Sequence, residues 1–384
     1  MIPYGRQHIS EEDIAAVTAV LRSDFLTQGP AIERFEQKMA AYCGVPYAVA
    51  VSNATAALHI GYQALGMAPG KRGWTSPNTF VASANAFLYC GGEVDFVDID
   101  EATLNLSVAA LATKLEAAAL TGTLPHIVTP VHFGGQSCDM AAIHALSQRY
   151  GFKVVEDASH AVGGSYRGAK VGACTHADLA VFSFHPVKII TTGEGGMLLT
   201  RNRNLYEQLL RLRSHGITRD PALMHDTNPG PWVYEQQELG FNYRMTDIQA
   251  ALGASQMDRL DQIVTKRQAL VDRYNALFAN TGVQPQQQLA GVQSAHHLYV
   301  VQVPAQADRR QVFEAMRSAG IGVNVHYIPV HLQPYYRQLG FAPGHCPAAE
   351  AYYQSAITLP LYPELSAADQ DKVVSTLLAA IASA

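Results

Sequence analysis

The hydrophobic rhythm of the chain changes repeatedly, and each change marks an element. The short apolar runs YAVAVS (47–52), GEVDFVDI (92–99), HIVTPVH (126–132), KVVEDAS (153–159) and LAVFSFH (179–185) are too brief for helices and read as buried strands. Segments with helical spacing separate them, such as TAALHIGYQALG (55–66) after the first run. Strands alternating with helices predict right-handed crossover units, and hence an α/β fold with a mostly parallel central sheet covered by helices on both faces. The rhythm shifts in FNYRMTDIQAALGASQMDRL (241–260), where one long helix is predicted from near Thr246 toward residue 280. After a Gln-rich loop, QPQQQLAGVQSAHH (284–297), the segments HLYVVQV, RQVFEAMRSAG and IGVNVHY predict a smaller α+β unit closed by a C-terminal helix. The expected division is a large domain with an N-terminal arm over 1–250, then an interdomain helix and a small C-terminal domain over 251–384. The sequence contains no internal repeat.

Composition narrows the function. With 384 residues, 48% of them hydrophobic and 15% charged, the chain can bury a large core and build about two domains. A formal net charge of -5 without a basic run argues against nucleic acid and membrane surfaces as partners. The opening MIPYGRQHISEEDI is polar by its seventh residue, and no run of about 18 uncharged apolar residues occurs, so a cytoplasmic location is expected. Cys43, Cys90, Cys138, Cys174 and Cys346 are odd in number and show no C-x-x-C spacing, which favours reduced thiols over disulfides or zinc. The histidines lack the spacing and carboxylate company of a metal site, so no metal is expected.

In a parallel sheet, ligands sit beyond the carboxyl ends of the strands. Three such ends carry chemistry. VSNATAALHI places Ser52, Asn53 and Thr55 where a strand becomes a helix, so amides and helix dipole converge as a phosphate seat, although plain helix capping explains the same residues. KVVEDASHAVGG puts at least one of Glu156 and Asp157 at the sheet edge, as a functional acid or as half of a structural ion pair. FSFHPVKIITTGEGG carries Lys188 with no charged neighbour until Glu194, behind Pro186 and ahead of Gly193, Gly195 and Gly196, which permit close approach. Alone, that lysine also reads as a snorkelling side chain. Together the three match the needs of pyridoxal 5'-phosphate, whose aldehyde condenses with a neutral lysine while an acid keeps the ring nitrogen protonated.

The order of SNATAAL, SPNTFVASANA, EDASHAVGG, FSFHPVKIITTGEGG, RSHGITRD, GFNYRMTDIQAALG and NVHYIPVHLQPYY resembles the DegT/DnrJ/EryC1/StrS family of nucleotide-sugar aminotransferases over nearly the whole chain. Within it, the YGRQ start, the lysine motif and HYIPVHLQPYY look most like the branch of pseudaminic acid biosynthesis, which makes UDP-4-amino-4,6-dideoxy-N-acetyl-β-L-altrosamine. The resemblance implies a fold type I homodimer that moves an amino group from a donor, L-glutamate, to C4 of a UDP-linked 4-keto-6-deoxy-N-acetylhexosamine.

Carried over by position, it implies that Lys188 binds the cofactor covalently, that Asp157 pairs with the ring nitrogen, and that Phe80 and His160 lie against the ring. Thr55, Ala56 and Ser183 would bind the phosphate, joined by Asn242 from the neighbouring subunit. Arg244 is a candidate for substrate anions, and His185, beside Pro186, either tunes the lysine or packs. Tyr4, Arg6, His326, Tyr327 and His331 are candidates for the sugar or uracil wall, against the plainer reading of an aromatic loop over a core. Relatives with histidine at the lysine position eliminate water, so Lys188 implies transamination. Two rivals are a nicotinamide-dependent sugar oxidoreductase, which needs a G-x-G-x-x-G turn that VSNATAALHI lacks, and a non-catalytic binding protein of the same fold, which has less need of Lys188 and Asp157.

Overall fold

The computed structural model describes residues 1–226 and 230–384. Seven strands form the central sheet: β1 (Tyr47–Val51), β2 (Arg72–Thr75), β3 (Glu93–Phe96), β4 (Ile127–Thr129), β5 (Lys153–Asp157), β6 (Leu179–Ser183) and β7 (Gly196–Thr200). Their spatial order is β1-β7-β6-β5-β4-β2-β3. The strands β3, β2, β4, β5 and β6 pair in parallel, and β7 runs antiparallel to both β6 and β1. The sheet is therefore mostly parallel, as the alternation of strands and helices predicts.

Side chains alternate across the pleat and divide the core in two. Val49, Val51, Val181 and Leu198 face one way, against the helices Ala54–Ala64, Ala82–Tyr89 and Arg203–Arg213. Ala48, Ala50, Phe182, Met197 and Leu199 face the other way, against the helices Pro30–Cys43 and Asp247–Met257. A third cluster around Trp74, Val128 and Val154 seats the helices Val108–Thr121 and Met140–Tyr150. Both faces are thus covered, and the strand ends become the place where polar groups can meet. The five cysteines are unpaired, four of them buried, and no described helix is long and apolar enough to cross a membrane.

Toward the C-terminus, the antiparallel strands Gln284–Pro285, Tyr299–Gln302 and Ala356–Leu359 form a second sheet. Its core joins Val301, Ile357 and Leu359 to the helices Arg309–Ser318 and Ala367–Ser383. Two expectations change here. The long helix predicted from Thr246 is two helices, Asp247–Met257 and Leu260–Phe278. At the break Asp258 pairs with Lys38, and Arg259 with buried Asp13, so the junction is tied to two preceding helices instead of continuing straight. IGVNVHY forms no strand: Ile321 bridges Ile2 and Asn324 bridges Thr358, each as a single contact.

Candidate active site

A cavity of about 980 Å³ opens beyond the ends of β1, β5 and β6. The strand-end residues Thr55, Ala56, Asp157, His160, Ser183 and Lys188 all line it. The chain after β6 is held as a tight turn, with the Lys188 amide donating to the His185 carbonyl at 2.9 Å and the Thr192 amide to the Phe184 carbonyl at 3.0 Å. Ile189 and Ile190 are buried behind the lysine. Desolvation lowers the Lys188 amine to about 8, opposed by the charge of Asp157. At pH 7.5 roughly a quarter of such an amine is neutral, against about one part in a thousand at its ordinary value. His185 is exposed at the rim and lines the cavity, so it does not pack into the core.

The helix Ala54–Ala64 starts at the floor. Asn53 caps it, and its side chain takes the Ala56 amide at 2.8 Å. That amide, expected on the phosphate, is already engaged; the amides of Ala54 and Thr55 lie in the first turn and have no acceptor within the helix. Gly196, first residue of β7, makes this packing possible. A Cβ there would sit 2.5 Å from the Asn53 carbonyl carbon and 2.6 Å from the Ala54 nitrogen.

Asp157 ends β5, buried to 4% exposure. Its Oδ2 accepts the Ser83 hydroxyl at 2.5 Å, and its Oδ1 accepts the Ser159 amide at 3.2 Å. Phe80 lines the cavity with 60% of its surface open, which leaves a ring face available. Burial raises the Tyr327 phenol and pushes His160 well below its ordinary value, so both are neutral where the phenol oxygen and His160 Nε2 share a hydrogen bond at 3.2 Å. The other ring nitrogen, His160 Nδ1, is buried and has no partner.

The wall above comes from two distant segments. Ile2 bridges Ile321 and the Tyr4 carbonyl accepts the Leu361 amide at 3.0 Å, which brings Tyr4 beside His326. Tyr4, His326 and Tyr327 line the cavity. Four candidates do not. Arg6 sits with Glu364 on a separate surface hollow. His331 is fully buried and bonded to Glu350 at 2.7 Å. Arg244 donates to Ser214 at 2.9 Å, and Asn242 is exposed, with Tyr243 between them reaching the cavity. Residues that strand-end reasoning missed are Thr79 and Ser83, which follow β2, together with His59, Asn324 and Tyr243. Thr79 and Ser83 stand four residues apart in SPNTFVASANA, but Thr79 precedes the helix Ala82–Tyr89, so helical spacing does not by itself pair their hydroxyls.

The donor set fits pyridoxal 5'-phosphate: an unshared amine of lowered basicity, a carboxylate fixed at the cavity edge, an open aromatic face, a buried unpartnered nitrogen and a helix start with open amides. The model of the DegT/DnrJ/EryC1/StrS aminotransferase family matches residues 7–378. Spore coat polysaccharide biosynthesis protein SpsC of Bacillus subtilis is 40% identical, the match covering 98% of this chain and 96% of the relative. UDP-4-amino-4,6-dideoxy-N-acetyl-beta-L-altrosamine transaminase of Campylobacter jejuni is 35% identical, covering 98% and 96%. The solved structure of Spr1654 from Streptococcus pneumoniae in its PLP-form superposes with a TM-score of 0.90 at 30% identity, over 100% of this chain and 99% of that one. The chain belongs to the DegT/DnrJ/EryC1/StrS aminotransferase family and is a pyridoxal 5'-phosphate-dependent sugar aminotransferase.

Proposed function

We propose that the enzyme moves an amino group from L-glutamate to C4 of UDP-2-acetamido-2,6-dideoxy-β-L-arabino-hex-4-ulose, giving UDP-4-amino-4,6-dideoxy-N-acetyl-β-L-altrosamine for pseudaminic acid. The observation that carries the chemistry is the Lys188 amine, lowered to about 8 beside Asp157 on the cavity wall. The Campylobacter jejuni relative supports the named sugar. Pyridoxal 5'-phosphate, when bound, supplies the electron sink and carries the amino group between the two substrates.

The residues of the chain do the rest. Lys188 holds the cofactor at rest and, once freed, moves a proton between its own Nζ and the reacting carbons. Asp157 keeps the ring nitrogen protonated, and Phe80 and neutral His160 bracket the ring. Thr55, Ser183 and the first amides of the helix Ala54–Ala64 seat the phosphate. Tyr4, His326 and Tyr327 orient the sugar. The enzyme works as a cytoplasmic homodimer: Asn242, exposed and away from its own cavity, reaches the phosphate seat of the second copy, with Arg244 beside it. The expected division of the chain, 1–250 and 251–384, puts most of the cofactor contacts in the first part and the sugar wall at the junction.

Incubating the purified enzyme with each 4-keto epimer and L-glutamate, with the products identified by NMR, tests the reading. The L-arabino epimer should be preferred to the D-xylo epimer by at least about 10-fold in kcat/KM, because the wrong epimer meets unpaired polar groups or a methyl clash. Equal constants would refute the named product and leave the aminotransferase standing. A second reading, another nucleotide 4-keto-6-deoxysugar, is favoured by the 40% identity to SpsC.

A further inference from the structure

We propose that Ser83 is a positioning residue for Asp157, at the head of a one-directional hydrogen-bond chain that starts at Thr79. The direction follows from proton counting. The Asp157 carboxylate only accepts, so the single Ser83 proton lies on the 2.5 Å contact to Oδ2. The Phe80 carbonyl, 3.5 Å from the same hydroxyl, cannot share that proton effectively. Ser83 Oγ is then only an acceptor toward Thr79, whose hydroxyl donates to it at 2.8 Å. Thr79, Ser83 and Asp157 are 3%, 1% and 4% exposed, so water does not compete for any link. A chain of this kind strengthens itself, since each donor polarises the next.

The serine is also fixed from behind. Tyr62 donates to its backbone carbonyl at 3.1 Å, and the Tyr62 ring stacks on Phe87 of the same helix with centroids 4.1 Å apart. Ser83 and the Ser159 amide hold opposite oxygens of the carboxylate, which locks its plane. The remaining lone pairs are thereby aimed at one partner, and the ion pair with a protonated ring nitrogen gains its direction from the two donors that fix the carboxylate.

The inference rests on the reading of Asp157 as the ring-nitrogen partner, and binding measurements separate the two. Pyridoxamine 5'-phosphate binds reversibly, and its carbon analogue, with C–H in place of the ring nitrogen, lacks the ion pair. The apoenzyme should prefer the nitrogen form by about 100-fold. Asp157→Asn should bring the ratio close to one. Ser83→Ala should lower it about 10-fold and Ser83→Thr should restore most of it, because a hydroxyl is again present; Thr79→Val, the milder variant should the alanine not fold, should lower it about threefold. A merely structural role for Ser83 would weaken both ligands equally and leave the ratio unchanged, which overturns the proposal. An unchanged ratio in Asp157→Asn would overturn the reading of Asp157 itself.

Discussion

Adjacent residues on β5 show how one strand serves two purposes. Asp157 turns toward the cavity with Val155, where hydroxyl and amide donors hold it. Glu156 turns the opposite way with Val154 and pairs with His132 at 3.0 Å, the histidine fully buried. Burial pulls His132 down, but its hydrogen bonds with Cys138 and Glu156 outweigh that and raise its pKa. On the cavity side, burial pushes His160 and His297 well below their ordinary values and His326 to about 3. The same strand thus separates a charged, self-satisfied pair from neutral His160 and His297, whose Nδ1 atoms have no hydrogen-bond partner, and neutral His326, which bonds to Thr358. Charge that has found its partner is structure; capacity left over is available to a ligand.

Removing the central amine should break this contrast most severely. Lys188→Ala should lose about 10⁴-fold or more in turnover while still binding cofactor noncovalently. Borohydride reduction of the loaded wild-type enzyme, followed by peptide mapping, should place the covalent label on Lys188, and a label elsewhere would overturn the assignment.

Asp157→Asn preserves shape and removes charge. A loss of about 2.7 kcal/mol in transition-state stabilisation, roughly 100-fold in rate, is expected by steady-state kinetics. Glu156→Gln, one residue away, should leave kcat/KM within about threefold and instead cost about 3–5 kcal/mol of stability, since it strands a buried charge. If both substitutions damaged activity equally, the two faces of β5 would not be functionally distinct.

The two faces should also answer pH with opposite signs. His132 is raised in the folded state, so its contribution is whole below about pH 6.5 and is lost as pH rises through its folded value. His160, His297 and His326 are depressed, so theirs is present above about pH 6.5 and lost as pH falls toward 3. Lys188 complicates the alkaline side, adding stability between about 8 and its ordinary 10.5. The His132 limb is therefore read as the difference between wild type and Glu156→Gln in denaturant titrations of the apoprotein from pH 4 to 10. That difference should shrink on the alkaline side and stay constant on the acid side. The smallest effect belongs to His331→Gln: with its Glu350 bond away from the cavity, it should change kcat/KM less than about twofold and stability by about 1 kcal/mol.

The strand-end rule pointed to Thr55, Lys188 and the neighbours Glu156 and Asp157 because a parallel sheet delivers its carboxyl ends to one edge, and that follows from rhythm alone. It could not choose between Glu156 and Asp157, since either register buries a carboxylate; the pairing of β5 decides which side chain faces Ser83. Thr79 and Ser83 were invisible to a search for charge, being neutral hydroxyls whose role arises from a partner 74 or more residues away. Arg6 and His331 lie away from the cavity that neighbouring His326 and Tyr327 line, because a loop's periodicity does not encode its direction. The helix break at Asp258 depends on ion pairs to Lys38 and Asp13, which no local pattern announces.

Gly196 carries a lesson for reading mutational screens. The residue does not line the cavity, yet a methyl group there would drive into the main chain at Asn53 and Ala54. Gly196→Ala would therefore register as a cofactor-binding defect, and a survey of variants scored by activity would rank this position beside Lys188. Added pyridoxal 5'-phosphate would tell them apart: if this helix start seats the phosphate as proposed, a weakened seat is refilled by mass action, whereas a missing amine is not replaced.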